Sequence, residues 1–159
     1  MPKLILSLFL AFSLFTPRLQ AQSPSGGMTP PEFDGKKAAG IYTYKVEKVL
    51  RKLKVKDEVS RQKVEAALNA YNSKMDTLSA EYAPIFEELE NTFDRNVQIA
   101  MQNRDRSQMS GIISQIREVI PPIKLQVGKE EKNLNEVMGE VLSEKQKEKW
   151  LKYQRSKRG

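Results

Sequence analysis

Cysteine and histidine are both absent from this chain of 159 residues. Their absence removes disulfides, thiol nucleophiles, imidazole general bases and any Cys/His zinc or haem ligand set. Apolar residues are also sparse: hydrophobic side chains make up 39% and charged ones 30%. That balance gives a lean core under a heavily charged surface and argues against a large enclosed active site. With Gly 8 and Pro 8 the composition is neither collagen-like nor wholly low-complexity. The length allows one modest domain. What remains is a basic chain, with 27 Lys+Arg against 20 Asp+Glu and a formal net charge of +7. An elongated helical molecule is the first expectation.

The longest apolar run lies at the start. Met1, Pro2 and Lys3 precede residues 4–15, which are almost entirely apolar, and Thr16-Pro17-Arg18 breaks the run before Leu19-Gln20-Ala21. This order of basic start, apolar stretch and small residue predicts a secretory signal peptide over residues 1–21, cleaved after Ala21. Roughly 20 apolar residues are needed to span a bilayer, so the run is too short for an anchor. The absence of Cys at the cut excludes a bacterial lipoprotein. Removal of Lys3 and Arg18 lowers the formal charge from +7 to +5. Export makes nucleic acid an improbable partner, and without Cys the exported chain must be stabilised by packing or assembly.

Residues 22–40 read as a disordered tether, because QSPSGGMTPPEFD is rich in Pro, Gly and Ser and the following GKKAAG is a poor helix. The helical domain is then expected over residues 41–159. Ile41, Tyr42, Val46, Val49, Leu50 and Leu53 fit a short amphipathic helix. A longer stripe follows, formed by Val64, Leu68, Tyr71, Met75, Leu78, Tyr82, Ile85, Leu89, Phe93 and Val97. With Asp57 as N-cap, a helix reaching Asn103 would be about 70 Å long.

Asp105 and Gln108 have the spacing of a capping box at the next helix start. That helix carries Met109, Ile113, Ile116, Ile120, Ile123, Val127, Leu134, Met138 and Val141 as its stripe. Two long amphipathic helices with a short polar link predict an antiparallel hairpin. Pro84 and Pro121-Pro122 fall inside these helices and lie at similar distances from the link. They predict either a coherent bend or, at Pro121-Pro122, a break into shorter helices. Leu142, Ser143 and Gln146 introduce a last helix, again with capping-box spacing.

An all-helical, exported chain with Leu142-Ser143-x-x-Gln146 near its end resembles the LTxxQ-motif family of periplasmic proteins, the Spy/CpxP-like group. Leu53-Lys54-Val55-Lys56-Asp57-Glu58 resembles the looser first copy of the motif, and the Ala100–Asp105 stretch resembles the family's link. The likeness spans roughly residues 41–158. Ser143 stands where the family has Thr, and the first copy lacks both the Thr and the Gln. The resemblance implies an all-α fold, a long antiparallel hairpin with short flanking helices, assembled as a curved homodimer that holds unfolded clients without ATP. It implies a periplasmic location.

Among candidate sites, Leu142, Ser143 and Gln146 are expected to act as a structural cap. Lys45, Lys48, Arg51, Lys52, Lys54 and Lys56, opposed by Glu47 alone, form the best candidate for client or partner binding, against the plainer reading of a solvated face. Trp150 is expected to anchor the last helix, with partner contact as the alternative. An acidic stretch between Asp76 and Asp94 could pair with the basic ends between subunits or serve solubility. No catalytic residue, cofactor or metal site is expected. Soft-metal sensing needs His, Cys or clustered Met, and the methionines here are scattered. The leading expectation is an exported chaperone or envelope-stress protein. Its rival is a structural or regulatory adaptor docking on one folded envelope partner, such as a sensor-kinase ectodomain.

Overall fold

A computed structural model describes residues 30–158. The predicted signal peptide and residues 22–29 of the predicted tether lie outside the described residues. Within them the chain is all-helical: α1 (Gly35–Ala39), α2 (Val46–Leu53), α3 (Glu58–Asn103), α4 (Met109–Val141) and α5 (Glu144–Arg158), with no strand among the described residues.

The start of α3 follows directly from sequence. Asp57 is extended and its side chain accepts the Ser60 N–H at 2.8 Å, satisfying one of the amides a helix start leaves without a partner. That backbone hydrogen bond, helped by the Ser60 hydroxyl, holds the Asp57 carboxyl below its ordinary value. Helix α3 then runs for 46 residues and ends at Arg104, which takes the left-handed conformation. The predicted Asp105–Gln108 capping box is not made. Asp105 instead accepts from the Ser107 N–H at 2.9 Å and the Ser107 hydroxyl at 2.8 Å. An Asp side chain reaches its own backbone two residues on, which closes a turn before the helix begins. Gln108 occupies the N-cap position of α4 with no side-chain bond.

Neither Pro84 nor Pro121-Pro122 ends its helix. All three prolines are exposed, so the carbonyls they deprive of a partner meet water, while the apolar stripe on the opposite face keeps the helix in place. Of the two readings at Pro121-Pro122, the break into shorter helices is the one the structure excludes, since α4 is one continuous helix of 33 residues.

Two apolar clusters hold the elements together. In one, Val64, Leu68, Tyr71 and Met75 of α3 meet Val127, Leu134 and Met138 of α4, with Val49, Leu50 and Leu53 of α2 and Trp150 and Tyr153 of α5. In the other, Phe86 and Leu89 of α3 meet Ile112, Ile120 and Ile123 of α4 and Ala39 of α1. Between them, the Gln126 amide donates to the Tyr82 hydroxyl at 2.9 Å. The stripes differ from expectation at two places. Phe86 is buried and Ile85 is 39% exposed; Ile112 is buried and Ile113 is 38% exposed. At each place two adjacent apolar residues suit a helical period, and packing selects the one that faces the neighbouring element.

The tether expectation fails over residues 35–39. Those residues form α1, which packs on both α3 and α4. Helix propensity does not explain it; tertiary contacts do. Asp34 caps the Lys37 N–H at 2.9 Å, and the Gly35 N–H reaches Glu90 Oε1 of α3 at 2.8 Å. Phe33 lies against Phe93 with ring centroids 5.7 Å apart. Gly35 has no space for a side chain, since a Cβ there would lie 2.6–2.9 Å from Phe86.

Candidate functional site

Leu142 and Gln146 join three elements. Leu142 is buried in the larger cluster, and Ser143 follows it as the chain turns into α5. The Gln146 side-chain oxygen accepts from the Ser143 N–H at 3.0 Å and from the Ser143 hydroxyl at 2.9 Å. This is the glutamine half of a capping box. The serine half is absent, because the hydroxyl donates to Gln146 rather than accepting a backbone amide. The Gln146 amide group then donates across the molecule to the carbonyls of Leu53 at 3.3 Å and Lys54 at 3.4 Å. Those carbonyls close the end of α2, where Lys54 adopts φ 56° and ψ 44°. One side chain thus starts α5 and finishes α2, a role that spacing alone does not reveal.

The basic segment is exposed at Lys45, Lys48, Arg51, Lys52, Lys54 and Lys56. Its one acid, Glu47, is engaged by Arg61 at 3.2 Å. Helix α2 packs against α5, and the two basic arrays meet on Tyr153. Lys52 Nζ stands 4.7 Å from the centroid of that ring and Lys157 Nζ 5.9 Å from it. Cations over an aromatic face are attracted by its quadrupole. The sequence treated the two arrays separately; the fold makes them neighbours.

Trp150 is 2% exposed and belongs to the core. Its indole Nε1 donates to Asn135 of α4 at 2.7 Å, and its ring centroid is 5.0 Å from that of Tyr44. As a contact residue for a partner it is therefore corrected to the packing anchor, because burial leaves no surface to offer. Around it lies an aromatic and polar group that sequence reasoning missed. The Tyr44 hydroxyl donates to Tyr42 at 3.0 Å, and Tyr42 donates in turn to Glu131. Asn72 secures Tyr44 by accepting its N–H and donating to its carbonyl, both at 2.8 Å. Burial, with Tyr42 beside them, pushes the Tyr44 and Tyr71 hydroxyls far above the ordinary tyrosine value.

An open apolar cleft of about 600 Å³ lies by the link between α3 and α4, walled by Val97, Ala100, Met101, Met109 and Ile113 with Pro30 and Pro31. Two arginines, Arg104 and Arg106, edge it. Among the described residues no group of three or more acids is placed to hold a metal ion, and no helix is long and apolar enough to cross a membrane. Comparison of the chain with family models, with curated proteins and with solved structures finds no significant match in any of the three.

Proposed function

We propose that this protein is an exported, ATP-independent chaperone or envelope-stress protein of the LTxxQ kind. In this reading α3 and α4 form the antiparallel hairpin of a homodimer, and non-native client chains rest on its helical surface. The observation that carries the reading is the apolar surface left open along the two long helices. Val59, Ile85 and Met101 on α3 and Ile113, Leu125 and Val137 on α4 are all exposed, with Leu125 at 65%. They are dispersed along the helices rather than gathered in one deep pocket. Dispersed apolar contacts suit chains without a fixed shape, and Met101 and Met109 beside the cleft supply adaptable, polarizable side chains.

The test is aggregation of an unfolded client in the presence of the purified protein. Suppression at near-stoichiometric ratios is expected, and none at several-fold molar excess would overturn the reading. The adaptor alternative draws on a different observation, the convergence of basic α2 and α5 at one end. A pull-down that returns one stoichiometric folded partner, with no anti-aggregation activity, would select it.

A further inference from the structure

The two basic arrays form a single surface with more charge than the whole molecule. Residues 45–56 hold six cations against one carboxylate, and α5 holds seven against two. Together they carry a formal +10, while the entire chain carries +7. Among the described residues the excess is not internally neutralised. There the ion pairs of this end are Arg61 with Glu47 and Glu65, and Lys147 with Glu144. None of the six cations of residues 45–56 takes part in them, nor do Lys145, Lys149, Lys152, Arg155 and Lys157 of α5. Contact between the arrays is direct, through Lys52 and Lys157 on Tyr153 and through Gln146 on the Leu53 and Lys54 carbonyls.

We infer that this end of the molecule docks on the surface of an anionic phospholipid bilayer. Three features favour that partner. First, the array is mostly lysine, whose compact ammonium acts as a point charge on a diffuse field rather than as a fork matched to one anion. Second, the nearby rings Tyr44, Trp150 and Tyr153 are buried, so no aromatic platform is free for stacking the bases of a single strand. Third, an exposed apolar residue sits among the cations: Leu151, 49% exposed on α5, stands between Lys149 and Lys152. Apolar residues flanked by lysines are what an interfacial surface presents to the headgroup boundary. A second copy of the chain is the weaker fit. Its acidic stretch offers six carboxylates, Asp76, Glu81, Glu87, Glu88, Glu90 and Asp94. Those few acids cannot balance an excess of this size.

Lipid docking is independent of client binding, and each can fail without the other. The test is co-sedimentation of the protein, in the form the cell leaves it, with vesicles of phosphatidylglycerol mixed into phosphatidylcholine and with vesicles of phosphatidylcholine alone. Any contribution from apolar residues 4–15 is common to both compositions, so the difference between them is the readout. Preference for the anionic vesicles by at least about tenfold is expected at low salt, and its loss at high salt, because each surface cation adds roughly fivefold to partitioning. Two paired reversals, Lys48→Glu with Lys56→Glu and Lys152→Glu with Arg155→Glu, should each reduce that preference about tenfold or more while helicity by circular dichroism is retained. Should either pair unfold the chain, Lys→Gln changes at the same positions and the salt series on the unaltered protein decide. Equal uptake by neutral vesicles would overturn the inference. So would an effect of one pair only, or salt-sensitive self-association in place of vesicle binding.

Discussion

Gln146 caps α5 through its oxygen and closes α2 through its nitrogen, so substitutions can separate the two roles. Gln146→Ala loses both and is expected to lower the free energy of unfolding by about 1–2 kcal/mol. Gln146→Glu keeps an acceptor for the Ser143 N–H but turns an anion toward two carbonyl oxygens. It should not recover the loss, and urea midpoints would show whether it does. Lys54, beside it, holds φ 56°, a conformation that costs an L-residue about 1 kcal/mol. Lys54→Gly should therefore raise the urea midpoint, and a fall would mean the lysine stem makes contacts that matter more than the backbone. Asp57 gives a pH dependence of known sign. Its folded-state pKa lies below the ordinary value of 3.8, so its cap stabilises above that value and is lost as pH falls through the lowered one. The Tm gap between the unaltered protein and Asp57→Ala should close as pH drops below about 4.

At the level of elements, α1 shows how tertiary contact overrides local preference. Gly35→Ala sets a methyl group within 2.9 Å of three Phe86 atoms, including its Cβ, which cannot swing away. Loss of about 1–3 kcal/mol and faster proteolysis near α1 are expected. Gly139→Ala on α4 meets nothing within 4 Å and should instead stabilise by about 0.5–1 kcal/mol. The contrast between these elements also explains what could be read from sequence. Asp57 and the Ser143–Gln146 pair announce α3 and α5 because capping chemistry is local, and the stripes of α3 and α4 are long enough to outvote three prolines. The choice between Ile85 and Phe86, or between Ile112 and Ile113, is not local. Phe86 is inside because Gly35, about fifty residues earlier, leaves room for its ring. Tyr44 escaped notice for a related reason: it precedes α2, outside any helical period, and is placed by Asn72 and Trp150.

Across the whole molecule, charge is distributed unevenly in space. Composition showed the excess of cations, and the segment from Lys45 to Lys56 showed where half of it lies. That the other half sits beside it depends on α2 packing against α5, which no spacing encodes. Crowding a formal +10 at one end opposes folding by self-repulsion, and salt screens that repulsion over about 10 Å at 0.1 M. Melting temperature should thus rise with added NaCl through the low and middle range. A flat or falling curve would mean that the surface ion pairs lost on screening outweigh the repulsion relieved.

The bond from Gln146 to the Leu53 carbonyl spans 93 residues. A chain that emerges amino-terminus first, from a ribosome or through a translocation pore, presents α2 long before the residue that completes it. Until Gln146 arrives, the last carbonyls of α2 face water and the apolar side of that helix lacks Trp150 and Tyr153. Assembly of this end therefore waits for α5, and a chain released short of residue 146 would leave the basic end unlatched.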